Sequence, residues 1–215
     1  MLFRPLQNNK RNANAKNELM ENQLEGKRVA ILVADGFEQV ELTGPRETLE
    51  AAGAITEIVS PANKIVRGWE GEKKEWGSKF KVDIPLAEAN ARHYDALLLP
   101  GGVMNPDKLR LEPQAIEFIR QFVNSGKPIG AICHGPWTLI DAGAVRGRKM
   151  TSYPSIKTDL INAGANWVDQ EVVTDNGIVT SRKPSDIPSF NRKLIEEILE
   201  GAHDRQTPPQ KAVAE

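Results

Sequence analysis

The sequence is poor in the residues that mark several classes of protein. Its 215 residues include one cysteine, so no internal disulfide forms, and a single free thiol fits a reducing compartment. The formal net charge of −1 argues against a strong nucleic-acid or membrane field. No window approaches the roughly 20 apolar residues of a membrane span. Neither a G-x-G-x-x-G after the first strand nor a G-x-x-x-x-G-K-[ST] occurs, which disfavours nucleotide binding.

The two ends of the chain differ in composition from its middle. Residues 1–26 are rich in Asn, Lys, Glu and Arg and lack the apolar stretch of a secretory signal, so we expect a disordered N-terminal extension. Residues 201–215 are similar in character, and we expect a disordered C-terminal tail. Residues 27–200 are long enough to form a single domain with a sizeable core. We expect the protein to be cytoplasmic.

Strand-like and helix-like segments alternate through this central region. The stretches RVAILVA, AITEIVS, YDALLLPGG and PIGAIC are nearly continuous apolar runs, typical of strands buried on both faces. Amphipathic segments lie between or after them, among them PQAIEFIRQFVNSG, which Gly126 should terminate. The alternation predicts an α/β fold in which an open sheet carries helices on both faces.

Three segments carry residues that predict a local feature of the backbone, namely a helix break or a hairpin. Pro45 lies inside the helical pattern VELTGPRETLEAAG and predicts a break or a late start of that helix. The charged stretch between Pro61 and Val82 contains two tryptophans and favours a hairpin-like excursion from the sheet. The stretch WVDQEVVTDNGIVTSR predicts a strand hairpin with Asn176-Gly177 as its tight turn.

Unusual residues follow three of the apolar runs, at the edge where an open parallel sheet binds ligands. The first run leads into Asp35-Gly36-Phe37-Glu38, the third into Pro100-Gly101-Gly102, and the fourth into Cys133-His134-Gly135. If these strands are neighbours, a thiol, a carboxyl and glycine amides meet at one edge. Such a set is suited to nucleophilic catalysis.

Cys133 lies between a predicted strand and a predicted helix, where a residue is presented on a sharp elbow above the sheet. The start of the following helix would then favour the thiolate. The alternative is a buried, inert cysteine. Glu38 is either an ordinary acidic residue in the first turn of a helix or a protonated partner that donates to the sulfur.

Backbone amides of two residues near the thiol form a candidate oxyanion hole. The N–H groups of Gly102 and His134 would stabilise a tetrahedral oxyanion, although Gly101-Gly102 is equally compatible with a plain turn. Because adjacent side chains usually point in different directions, His134 either reaches the thiol as a base through an unusual rotamer or contributes mainly its backbone N–H. His93 and His203 are expected at the surface, and the scattered histidines do not predict a metal site.

Three motifs together resemble the PfpI-like intracellular proteases of the ThiJ/PfpI superfamily: DGFEQVEL, DALLLPGG and AICHGP. The resemblance spans roughly Lys27 to Leu199. It implies a flavodoxin-like, class I glutamine-amidotransferase-like fold, a three-layer sandwich around a mostly parallel sheet. It also implies a homodimer or hexamer, with no metal and no organic cofactor.

The resemblance implies functional roles for particular residues of this sequence. Cys133 matches the nucleophile, Glu38 the acidic residue that contacts it, and His134 the histidine paired with it. Gly102 and His134 match the oxyanion-hole amides. Asp107 matches the acidic residue that a neighbouring subunit contributes to a triad in protease-like members, although the residue here is Asp rather than Glu.

Two reactions from one site follow from the resemblance. In one, Cys133 attacks a peptide or amide carbonyl; in the other, it adds to methylglyoxal or to a glycated group, and proton transfer and hydrolysis follow. The sequence favours a stress-protective hydrolase of reactive carbonyls or glycated groups with weak peptidase activity. The alternative is a redox sensor or holdase chaperone in which Cys133 is oxidised without turnover.

Overall fold

A computed structural model describes residues 22–203. The strands of this region are β1 (Arg28–Leu32), β2 (Phe37–Glu38), β3 (Ile55–Ser60), β4 (Ile65–Glu70), β5 (Glu75–Lys81), β6 (Ile84–Pro85), β7 (Ala96–Leu99), β8 (Ile129–Ile132), β9 (Lys149–Met150), β10 (Asn166–Trp167), β11 (Val172–Asp175) and β12 (Ile178–Ser181). The α-helices are α1 (Gln39–Ala51), α2 (Met104–Arg110), α3 (Pro113–Ser125), α4 (Pro136–Asp141), α5 (Lys157–Asn162) and α6 (Ile187–Glu200).

Seven strands form the central sheet in the order β11-β12-β8-β7-β1-β3-β6. All neighbours in this sheet pair in parallel except β11, which runs antiparallel to β12. The order β3-β1-β7-β8-β12 is the 2-1-3-4-5 order of flavodoxin-like sheets. The predicted α/β fold with a mostly parallel sheet is therefore confirmed.

The apolar runs form the innermost strands. Every residue of β7 and β8 is buried, as is all of β1 after Arg28. The two faces of the sheet carry separate apolar clusters. One cluster packs α3, α4 and α5 against the sheet through Ile119, Leu139 and Leu160, and the other packs α1 and α6 through Leu42 and Phe190. The result is the three-layer sandwich that the alternation of strands and helices predicted.

The prediction that Pro45 interrupts its helix is wrong. Helix α1 runs from Gln39 to Ala51 without a break, with Pro45 buried inside it. Proline at this position removes the N–H that would bond the carbonyl of Glu41, four residues earlier. Burial of the ring offsets part of that loss, so the first turn of α1 stays in place.

Both predicted hairpins are present. Strands β4 and β5 pair antiparallel, with Trp69 and Trp76 in edge-to-face contact 5.6 Å apart. Strands β11 and β12 are joined by Asn176 and Gly177, whose φ angles of 47° and 80° suit a tight turn. Trp167 does not begin this hairpin as predicted, because it lies in β10, which pairs with β9.

Both ends of the packed structure extend past their predicted limits. Residues 22–26 form a turn in which Leu24 is fully buried and donates its N–H to the carbonyl of Ala52 at 2.7 Å. At the other end, the N–H of His203 bonds the carbonyl of Gly126 at 2.9 Å. Residues 1–21 and 204–215, the remainder of the predicted disordered ends, lie outside the described residues. Within residues 22–203, no helix is long and apolar enough to cross a membrane.

Helix α6 offers a test of the packing. Replacing Phe190, which is fully buried, by alanine should lower the free energy of unfolding by about 3–5 kcal/mol because a cavity opens against the sheet. Leu199 lies on the same helix and is 48% exposed. Leu199→Ala should therefore change the free energy of unfolding by about 0.5 kcal/mol or less. Urea unfolding of both variants measures the difference, and equal losses would contradict this packing.

Candidate active site

The carboxyl ends of β1, β7 and β8 meet at one edge because these strands are neighbours in the sheet. The segments that follow them are the three that the sequence singled out. Asn105, which the sequence analysis missed, ties two of them together. Its side-chain oxygen accepts the N–H of Ala34 at 2.7 Å, and its side-chain nitrogen donates to the carbonyl of Pro100 at 2.8 Å.

Cys133 is the first residue after β8 and has a φ angle of +62°, in the left-handed region that side chains other than glycine rarely adopt. Two backbone hydrogen bonds hold it there. Its N–H donates to the carbonyl of Ser181 at 3.0 Å, and its carbonyl accepts the N–H of Tyr153 at 2.8 Å. Strained residues of this kind cluster at functional sites. The predicted sharp turn at Cys133 is therefore present, but its side chain is buried and not exposed above the sheet.

Gly135 is what allows the chain to turn so closely at this elbow. A Cβ atom at this position would lie 2.9 Å from the carbonyl oxygen of Ile132 and would overlap that of Leu99. Any larger residue would push the chain away from β7. Helix α4 then begins at Pro136, which has no intrahelical hydrogen bond to lose in the first turn.

Burial of Cys133 opposes the thiolate that the sequence predicts. Burial raises the pKa of the Cys133 thiol well above its ordinary value, and the charge of Glu41 raises it further. The N–H groups of Gly102 and His134 bond the sulfur and act in the opposite direction, but they do not compensate for burial. At neutral pH the resting group is therefore a protonated thiol that needs a base when it reacts.

Glu41, and not Glu38, is the carboxyl beside the sulfur. Glu41 is fully buried, its Oε2 accepts the N–H of Gly101 at 2.9 Å, and the carboxyl is in electrostatic contact with Cys133. Its Oε1 has no partner with hydrogen-bond geometry among the described residues. Burial raises the pKa of Glu41 to about 8, so this carboxyl keeps its proton at neutral pH.

Glu38 occupies a different place, which corrects the predicted contact with the thiol. It lies in β2, and its carboxyl accepts the N–H of Gly71 at 3.2 Å, in the loop between β4 and β5. The two glutamates are three residues apart in sequence. Glu38 lies just before helix α1, whereas Glu41 lies in its first turn and points inward. The sequence did carry a signal: Glu41 shares the buried face of α1 with Leu42, Pro45 and Leu49.

The ring of His134 does reach the thiol, which answers the question that the sequence left open. Nδ1 lies 3.2 Å from the sulfur, and Nε2 lies 2.9 Å from the hydroxyl oxygen of Ser155. The ring stacks on Tyr153 with centroids 4.8 Å apart. Burial lowers the pKa of His134, so the neutral ring is able to accept a proton at Nδ1 while Nε2–H donates to Ser155.

Gly101 and Gly102 form the wall opposite the elbow. A Cβ atom on Gly101 would come within 2.7 Å of the Cys133 Cβ and 2.8 Å of the Glu41 Oε2. Gly102 has a φ angle of +75° and turns its N–H toward the sulfur. The predicted pair of amides, from Gly102 and His134, thus faces one point at the thiol.

Asp107 is not part of this cluster within one chain. It lies exposed on α2, while the histidine nitrogen that a third triad member would contact bonds Ser155 instead. Ser155, which lies in the turn Pro154–Ile156, was not identified from the sequence. A polar residue in a short turn carries no signal that it will meet a histidine 21 positions earlier.

Comparison with known proteins identifies the family. The sequence pattern of the DJ-1/PfpI family matches residues 27–197. The chain belongs to this family. A relative in the DJ-1/PfpI family, the Escherichia coli (strain K12) protein/nucleic acid deglycase 2, is 45% identical over 171 residues, which are 79% of this chain and 96% of the relative.

Two further members extend the comparison. YraA of Bacillus subtilis (strain 168), named provisionally as a cysteine protease, is 46% identical over 170 residues, 79% of this chain and 96% of the relative. The crystal structure of Drosophila melanogaster DJ-1beta superposes with a TM-score of 0.72 at 27% identity, covering 80% of this chain and 90% of that one. The resemblance to PfpI-like proteins is therefore confirmed.

Glu41→Gln tests which carboxyl controls the thiol. At pH 9 the ionised Glu41 opposes formation of the thiolate, so the neutral glutamine should increase the rate of iodoacetamide alkylation by at least about threefold. Glu38→Gln is the matched control and should leave the rate unchanged. Alkylation followed by mass spectrometry gives both rates. A larger effect of Glu38→Gln than of Glu41→Gln would contradict the assignment.

Proposed function

We propose that this protein is a cysteine-dependent hydrolase of reactive carbonyls or glycated groups, with Cys133 as the nucleophile. The observation that carries the proposal is the fully buried Glu41 carboxyl beside the thiol, at a sulfur that also meets an imidazole and two backbone amides. A proton donor, a proton acceptor and an oxyanion site then surround one nucleophile. We also propose a cytoplasmic location, which suits a free thiol.

His134 activates the thiol in this mechanism. As the sulfur attacks, its proton moves to Nδ1 over the 3.2 Å that separate the two atoms. In the tautomer that carries its hydrogen on Nε2, the ring donates to Ser155 and leaves Nδ1 free to accept this proton. Stacking on Tyr153 holds the plane of the ring. The raised pKa of the thiol is therefore overcome only when a substrate is in place.

The attack places negative charge on the aldehyde oxygen, and Glu41 and the two amides stabilise that oxygen. The sulfur bonds the aldehyde carbon of a dicarbonyl such as methylglyoxal, and the C=O double bond becomes a C–O single bond. The N–H groups of Gly102 and His134 stabilise the oxygen, and the proton of Glu41 neutralises it. The product is a hemithioacetal and an ionised Glu41.

Glu41 next moves a proton between two neighbouring carbons. The carboxylate takes the hydrogen of the sulfur-bearing carbon as a proton and delivers it to the adjacent carbon. The ketone oxygen gains a proton, and the hemithioacetal hydroxyl loses one, both through His134. A thioester of a 2-hydroxy acid results. Water cleaves it to the free acid, and the thiol and the Glu41 carboxyl regain their protons, so no oxidant or metal is consumed.

A glycated amine enters the same sequence. In such an adduct the carbon that the sulfur attacks also carries the amine nitrogen. The C–S bond forms as the C–N bond breaks, the leaving amine takes the proton of Glu41, and His134 keeps the proton of the thiol, so the hemithioacetal again lies beside an ionised Glu41. The relative named protein/nucleic acid deglycase 2 supports this substrate class.

Peptide hydrolysis by the same thiol is proposed as a weak activity. An amide leaving group must be protonated, and an acidic partner that raises the basicity of His134 would help. Here Nε2 of His134 faces the neutral hydroxyl of Ser155. In a homodimer or hexamer, Asp107 of a neighbouring copy would have to displace Ser155 to complete a triad.

A redox function is the alternative, and the same amides support it. The N–H groups of Gly102 and His134 point at the sulfur and would bond the oxygens of a sulfinic acid, with Glu41 as a further donor. Such a protein would respond to oxidation, or hold unfolded clients, without turnover.

Turnover of methylglyoxal to lactate tests the proposal. Cys133→Ala should abolish it, because no other cysteine is present in the chain. Glu41→Gln should lower kcat/KM by at least about 100-fold, as expected when a general acid–base is lost. Glu38→Gln should retain activity within about threefold. Lactate formation that survives Cys133→Ala would refute the carbonyl hydrolase, and oxidation of Cys133 without any turnover would favour the redox alternative.

The pH dependence follows from the raised pKa of Glu41. The resting site needs this carboxyl protonated, and its pKa is about 8. We therefore expect kcat/KM to fall as pH rises above about 8, whereas an ordinary carboxyl would be ionised throughout the neutral range. Initial rates between pH 6 and 10 check this, and a kcat/KM that rises steadily through pH 9 would contradict the role of neutral Glu41.

A further inference from the structure

We propose that Glu197, Glu200 and His203 form a binding site for a divalent transition metal, with Zn²⁺ as the ion that fits the donors best. The site lies where helix α6 ends and is remote in sequence from Cys133. One donor atom from each of the three residues lies within 4.8 Å of the other two. From the sequence, His203 is expected at the surface and no metal site is predicted.

The arrangement of Glu197 and His203 is the first argument. Oε2 of Glu197 and Nε2 of His203 are 2.9 Å apart, yet each is buried and lacks a hydrogen bond of normal geometry among the described residues. Glu197 is 6% exposed. At this distance the two atoms form an ion pair when His203 is protonated, and a divalent cation bound between them would take the place of that proton.

The spacing of the donors is the second argument. Zinc binds imidazole nitrogen and carboxylate oxygen at about 2.0–2.2 Å, so two ligands of a tetrahedral zinc lie about 3.3 Å apart. Nε2 of His203 lies 2.9 Å from Glu197 Oε2 and 4.0 Å from Glu200 Oε2, which brackets that value. The three residues leave one tetrahedral position for water.

The site is built by three elements of the fold, which is the third argument. The carboxyl of Glu197 accepts the N–H of Gly177 in the turn between β11 and β12. The N–H of His203 bonds Gly126, the left-handed residue that ends α3. A Cβ atom on Gly177 would come within 2.8 Å of the His203 ring, so the turn leaves space for this ring.

The charges around the site favour a cation. Glu197 and Glu200 lie in the last turn of α6, where the partial charge of the helix is negative. The nearby Lys193 forms its ion pair with Glu196, and its charge also acts on Glu197 and Glu200. A histidine ligand selects zinc and its neighbours in the first transition row over Mg²⁺ and Ca²⁺, which prefer oxygen ligands.

Metal binding here would fix the chain after α6 to the rest of the domain. His203 is the last described residue, and it would then be joined to helix α6 through the metal. A cation that binds only the folded state raises stability by mass action. The site therefore acts as a clamp on the C-terminal segment.

Isothermal titration of the full chain with ZnCl₂ after EDTA treatment tests the proposal. Cys133→Ala serves as the parent protein, because it removes the thiol that would also bind zinc. We expect one zinc per chain with a micromolar or lower Kd, and a rise in Tm of about 5 °C or more at zinc 100-fold above Kd. Co²⁺ in place of zinc should give visible d–d absorption.

Matched variants locate the ion. In the Cys133→Ala background, His203→Asn and Glu200→Gln should each weaken zinc binding at least about tenfold. His93→Asn, at an exposed histidine, and Glu196→Gln, at the neighbouring glutamate, should leave it unchanged. No binding up to 1 mM zinc, or equal binding by His203→Asn and the parent, would overturn the site. None of these results depends on the activity of Cys133.

Discussion

Two acidic groups, the thiol of Cys133 and the carboxyl of Glu41, lie against each other inside the protein, and the site depends on that contact. Neither group ionises readily there, because burial disfavours both charges and each charge opposes the other. The pair therefore holds its protons at neutral pH. In the proposed reaction, a substrate carbonyl that enters the site meets Cys133 as the nucleophile and Glu41 as the acid, and both groups carry their protons.

The fold supplies the rigid frame that this contact requires. Cys133 stays at a φ angle of +62° because its N–H donates to the carbonyl of Ser181 and its own carbonyl accepts the N–H of Tyr153. Such a conformation costs about 1–3 kcal/mol and persists only where its surroundings fix it. Asn105 joins the segments after β1 and β7, and Gly101 holds the Glu41 carboxyl. The geometry at the sulfur is thus determined by several strands at once.

Much of the fold was predictable because buried parallel strands leave a clear mark in sequence. RVAILVA, YDALLLPGG and PIGAIC are apolar on both faces, and they form the centre of the sheet. The turn residues Asn176 and Gly177 likewise identify their hairpin without knowledge of the rest. These features follow from local composition, and the family resemblance agrees with them.

The site was less predictable because its chemistry depends on which way each side chain points and on how deeply it is buried. Glu38 and Glu41 are three residues apart, but Glu38 lies in β2 whereas Glu41 lies on the buried face of α1 and points inward. The pKa of the thiol depends on burial by segments distant in sequence. Burial raises this pKa, whereas the start of the helix alone predicts that it is lowered. Ser155 and His203 acquire partners only when separate elements meet.

Infrared spectroscopy of the Glu41 carboxyl tests the central claim most directly. A protonated carboxyl has a C=O stretching band that ionised carboxylates lack. The wild-type protein should show this band at pH 7 and lose it as the pH passes about 8, while Glu38→Gln keeps it and Glu41→Gln lacks it. A spectrum without a protonated carboxyl at pH 7, or a band that survives Glu41→Gln, would contradict the claim.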